Sequence, residues 1–90
     1  MKLEQLYQSL KELAQKLEIT VLERNLRNTG IKVESGICKV KGKYIFIMDK
    51  HIPLHVKNRV LGYCLSQMSH EDIYVVPAVR EYLDNLQQKQ

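Results

Sequence analysis

Leu3, Leu6, Tyr7, Leu10, Leu13, Ala14 and Leu17 recur at spacings of three and four, which draws one apolar stripe along a helix. Lys2, Gln5, Gln8, Lys11, Glu12 and Gln15 fill the opposite, solvated side. The stripe matches a coiled-coil seam over only about two heptads, so core packing is the better reading. After Leu17 the period changes. "EITVLERN" is rich in β-branched residues and predicts a strand over Glu18 to Leu26, with helix continuation as its rival because Leu, Glu and Arg favour helix. "RNTG" then supplies turn chemistry.

"SGICKVKGKYIFIMDK", Ser35 to Lys50, predicts a β-hairpin closed by the two-residue loop Lys41-Gly42. That loop sets the register: Val40 faces Lys43, Cys38 faces Ile45 and Gly36 faces Ile47 on one side of the ribbon. Lys39 with Tyr44, Ile37 with Phe46 and Ser35 with Met48 lie on the other. Both faces are apolar toward the base and lysine-rich toward the tip. A strand apolar on both sides is covered on both sides, either by helices of the same chain or by a partner.

A second helix is expected from about Pro53 to Met68, with Val56, Val60, Leu61, Cys64, Leu65 and Met68 as its apolar stripe. Gly62 inside it costs about 1 kcal/mol against alanine and is explained either by a close approach or by nothing. An extended apolar run, Ile73 to Val76, precedes Pro77. Val79, Tyr82, Leu83 and Leu86 then mark a third helix, and "QQKQ" is a polar tail. The expected architecture is a single α+β domain over residues 1–90. Its order is α-β-β-β-α-α, with an N-terminal helix, a three-stranded antiparallel meander and two C-terminal helices.

Composition changes this picture little. At 44 % hydrophobic and 27 % charged residues the chain is ordinary globular material. It has no apolar run of the roughly 20 residues a spanning helix needs, and Glu4 and Glu12 interrupt the N-terminal stripe, so no signal peptide is read there. The expected compartment is the cytoplasm, with no membrane partner. Charge says more through its placement. The net charge is +4, yet residues 36–59 alone hold Lys39, Lys41, Lys43, Lys50, Lys57 and Arg59 against Asp49.

Candidate chemistry is sparse. Cys38 and Cys64 are too far apart for a C-x-x-C site and are expected as small buried hydrophobes. Nucleophilic catalysis needs a base and an orienting group beside the thiol. Asp49, His51, His55, His70, Glu71 and Asp72 are the polar candidates, but Pro53 separates His51 from His55. No phosphate-cradling glycine motif is present. No catalytic residue, metal or cofactor is expected. The stronger feature is the basic hairpin: Lys39, Lys41, Lys43, Lys57 and Arg59 can attract phosphates or acidic surfaces, and Tyr44 and Phe46 are candidate stacking rings. Against that, lysines at a hairpin tip also keep an edge strand soluble.

The hairpin with "PLHVKNRVLGYCLSQM" and "EDIYVVPAVREYL" resembles a group of short bacterial proteins of unknown function. In that group a G-[IL]-C-[KR]-V-[KR]-G hairpin leads to Asp-Lys, a helix and a closing I-Y-x-P-x-V-R segment. The resemblance spans roughly residues 3 to 86 and implies a bacterial cytoplasmic protein, but no activity. A weaker, fold-level likeness is to the zinc metallopeptidase domain that cleaves phage-type repressors. Its core helix carries H-E-x-x-H, whereas "VKNRVLGYCLSQMS" has no histidine, glutamate or aspartate. The expected function is therefore non-catalytic association with a second copy or another protein. Nucleic-acid binding through the lysine hairpin is the alternative, and a metal- or thiol-dependent enzyme is third.

Overall fold

A computed structural model describes residues 1–25, 36–68 and 73–88, with side chains in the last helix to residue 86. The elements run α1 (Leu3–Lys16), β1 (Ile19–Arg24), β2 (Gly36–Val40), β3 (Lys43–Asp49), α2 (Leu54–Ser66) and α3 (Pro77–Gln88). The α-β-β-β-α-α order is the expected one. The turn at "RNTG", the Ser35 partner of Met48 and the candidates His70, Glu71 and Asp72 lie outside the described residues.

Helix α1 starts with Glu4 in its first turn and ends with Lys16 in its last, each charge matching the helix dipole. It stops because Glu18 turns left-handed, at φ 62°, while its N–H donates to the Gln15 carbonyl at 3.0 Å. That reversal decides between strand and continued helix after Leu17, and β1 begins at the next residue. A carboxylate side chain has no preference for this backbone region. Glu18→Gly should therefore raise stability by about 0.5–1 kcal/mol, read as a higher midpoint of urea unfolding.

The hairpin forms in the expected register, from Val40↔Lys43 to Gly36↔Ile47. Lys41 and Gly42 both take positive φ, 52° and 82°, as a tight two-residue loop of the right twist requires. The antiparallel meander is corrected: the sheet is mixed, in the order β1-β3-β2, and β1 runs parallel to β3 from Ile19↔Tyr44 to Arg24↔Asp49. β3 is apolar without a break from Tyr44 to Met48, and such a strand belongs in the middle of a sheet. β2, with Gly36 and Lys39, tolerates an edge better. Consecutive strands are neighbours only about two-thirds of the time, and β1 and β2, consecutive in the chain, lie on opposite sides of β3.

Three helices meet one sheet face. Leu6, Leu10, Leu13 and Ala14 of α1, Leu61 and Leu65 of α2, and Val79 and Leu83 of α3 pack with Ile19, Phe46 and Met48. Pro53 caps α2 from outside rather than opening its first turn. The run before α3 is not a strand: Val75 plugs into the core while Tyr74 and Val76 stay exposed. Gly62 does have a packing reason. A Cβ there would lie 2.9 Å from both Leu86 Cδ1 and Tyr82 Cε2, so α3 side chains occupy that space.

Candidate association surface

Strand alternation and the two registers assign each sheet residue a side. Ile19, Val21, Glu23, Ile37, Lys39, Tyr44, Phe46 and Met48 lie toward the helices. The opposite face carries Thr20, Leu22 and Arg24 on β1, Lys43, Ile45, Ile47 and Asp49 on β3, and Cys38 and Val40 on β2. None of its apolar residues belongs to the core or packs against it. Leu22, Ile45 and Ile47 are half-buried, while Cys38 and Val40 are exposed. Coverage of both faces by helices is thereby corrected: among the described residues all three helices serve one face. A 90-residue chain has one apolar layer to fill, and α1, α2 and α3 find it together against Phe46 and Met48.

Read along β3, the open face is Lys43, Ile45, Ile47, Asp49: a cation, two aliphatic side chains and an anion. Asp49 also accepts the His51 backbone N–H at 2.9 Å, which fixes the turn leaving the strand.

No protein-family model, curated protein or solved structure matches the chain.

The residues singled out from sequence divide into separate places. Lys39, Lys41 and Lys43 do cluster at the hairpin tip and are exposed. The Lys39 ammonium sits 5.4 Å from the centre of the half-buried Tyr44 ring, so that ring already has a cation on it. Phe46 is corrected as a stacking candidate: it is 3 % exposed and part of the core. Lys57 and Arg59 stand at the other end of the sheet. Lys57 donates to the Glu23 carboxylate, whose register partner is Met48, and Arg59 lies beside Gly36 and Ile37. Cys38 is exposed on the edge strand rather than buried, because it lies on the sheet face turned away from the helices. Cys64 is half-buried, and burial pushes its thiol up. Among the described residues no three His, Cys, Asp or Glu side chains converge as a metal site. In the same residues no helix is long and apolar enough to cross a membrane.

Sequence reading missed a polar cluster on the helix side. The Lys57 hydrogen bond holds Glu23 below its ordinary value of 4.5 despite partial burial. Tyr7 is pushed up to about 12, by burial first and then by the facing Glu23 carboxylate. Its hydroxyl also lies 3.8 Å from the Met48 sulfur. Only the pairing of β1 with β3 brings these residues together, and no local spacing announces it. Because Glu23 is depressed in the fold, the stability it contributes is present above its ordinary pKa and is lost as pH falls through the folded value. Lys57→Met should cost at most about 1 kcal/mol at pH 7, since the pair is partly solvated, and progressively less as pH falls through the folded value of Glu23. Urea unfolding along a descending pH series checks this.

Proposed function

We propose that this chain acts by association rather than by catalysis, and that it pairs with a second copy through the open sheet face. The carrying observation is the sequence of that face along β3. A two-fold axis that reverses strand direction sets Lys43 of one copy against Asp49 of the other, and Ile45 against Ile47. A surface that is its own complement is what a symmetric dimer requires. Packing the two faces would bury Leu22, Val40, Ile45 and Ile47 at the usual sheet-to-sheet spacing of about 10 Å.

Light scattering on a size-exclusion column tests it. The expected mass is twice the 10.6 kDa chain, falling to one chain on dilution. Ile45→Lys should give a monomer at every concentration with an unchanged circular dichroism spectrum, because the side chain is outside the core. Lys43→Glu should weaken the dimer at least tenfold by facing Asp49 with a like charge. A monomer mass for the parent chain across the full range would sink the reading.

Nucleic acid is the second reading, supported by the exposed Lys41 and Lys43 at the tip. It predicts affinity that falls steeply with salt.

A further inference from the structure

We propose that the groove between β2 and α2 docks an extended, acidic segment of a partner protein, added as a fourth strand alongside β2. This groove is on the helix side of the sheet, away from the self-association face, and stands independently of it.

The groove holds about 630 Å³, within the range of roughly 300–1,000 Å³ of built binding sites. One wall is an edge. Among the described residues β2 pairs only with β3, all five of its residues are exposed, and Ile37 is 41 % exposed on the groove side. The other wall is α2, which offers Val60, Cys64 and Tyr63, the last 45 % exposed. Phe46 forms the floor.

A strand edge facing a helix across an apolar floor suits one kind of occupant. An extended peptide pairs on one side with the backbone groups of the edge that no described strand holds. Every second side chain then points into the groove. β2 is about 17 Å long, enough to pair with five residues. A folded helix would leave the backbone row of β2 unpaired.

Charge selects the sign. Among the described residues Arg59 is the one charged residue lining the groove, and Lys39 lies on the same side of β2, two residues from Ile37. The stretch from residue 36 to 59 carries +5, so an acidic segment is drawn in. The expected recognition pattern is an apolar residue seated between Ile37 and Tyr63, with Asp or Glu two positions away toward Lys39.

The test uses the full chain and a displayed library of random nonapeptides. Selection should enrich alternating apolar and acidic residues. The best peptide, added to labelled protein, should shift amide resonances of Gly36–Val40 and of α2 around Arg59–Cys64. Arg59→Glu and Tyr63→Ala, both at exposed positions, should each weaken it at least tenfold. Ile45→Lys should leave its affinity unchanged, which separates this site from the dimer face. The proposal is overturned if no peptide is enriched, if enriched peptides are basic or shift other regions, or if Arg59→Glu has no effect. It is equally overturned if Arg59→Glu abolishes dimerisation, since the groove would then belong to a second copy.

Discussion

Asn58→Asp is expected to lower stability by about 3–4 kcal/mol at pH 7 and to be nearly silent at pH 4. Asn58 is 1 % exposed on α2, and its Nδ2 donates to the Leu3 carbonyl at 3.2 Å, tying α2 to the start of α1. Its Oδ1 is buried with no hydrogen-bond partner among the described residues. A carboxylate there would meet the Leu3 oxygen instead of a donor, in a place water does not reach. Such a group stays protonated, and holding it so from an ordinary value near 4 up to pH 7 costs about 1.4 kcal/mol per pH unit. The sign follows: a folded pKa raised above the unfolded one gives full stability below the unfolded value and a growing loss as pH rises. The protonated acid can donate to Leu3 as the amide does, so the variant should recover in acid. Asn58→Leu supplies the control. It removes the unpartnered oxygen along with the bond to Leu3, two opposing effects, and should change stability by no more than about 1 kcal/mol and equally at both pH values. Urea unfolding of both variants at pH 7 and pH 4 reads the contrast. A pH-independent loss in Asn58→Asp would place solvent at this site.

The second large effect is at Gly62. Gly62→Val is expected to cost about 3 kcal/mol, a fall in Tm of roughly 15 °C for a domain of this size. Alanine alone would gain about 1 kcal/mol of helix propensity, so the outcome depends on space. The space is taken: Leu86 Cδ1 and Tyr82 Cε2 would each stand 2.9 Å from the new Cβ. The leucine methyl can swing away, whereas the tyrosine ring, which meets the new Cβ at two atoms, 2.9 and 3.5 Å, is bulkier to displace. Gly62→Ala should therefore be a net loss of about 1 kcal/mol, and valine should add two methyl groups to the same collision. Combining Gly62→Ala with Leu86→Ala should lose less than the two separate losses together, a coupling that thermal denaturation of the double variant measures. If Gly62→Ala is stabilising, α3 yields at this point and the helix contact is looser than the distances imply.

How much of this was legible in the chain varies by element. The helices were, because a stripe at spacings of three and four has one physical meaning. The hairpin register was, because Lys41-Gly42 leaves a single way to pair Cys38 with Ile45. The neighbour of β1 was not. Ile19, Thr20 and Val21 carry no mark of which strand they will join, and the default of joining the next one in sequence fails here. The choice of covered face was also hidden. Tyr44, Phe46 and Met48 on one side and Ile45 and Ile47 on the other are equally apolar, so alternation separates the two sets without ranking them. Phe46 was legible as an aromatic near lysines, but its burial follows from that ranking, as does the exposure of Cys38. The open sheet face, the β2–α2 groove and the Glu23–Lys57 pair all descend from these two choices.

The parallel pairing also orders events in time. β2 and β3 meet across separations of 3 to 11 residues, whereas Ile19 and Tyr44 are 25 apart and every β1–β3 pair shares that distance. Short loops close in tens of nanoseconds and hairpins form in microseconds, while distant pairs wait on a larger loss of chain entropy. The lysine-tipped ribbon is thus expected to form before β1 joins it, with Phe46 and Met48 covered only afterwards. In that interval β3 lacks its β1 neighbour, and the charges of Lys39, Lys41 and Lys43 disfavour edge pairing with another chain.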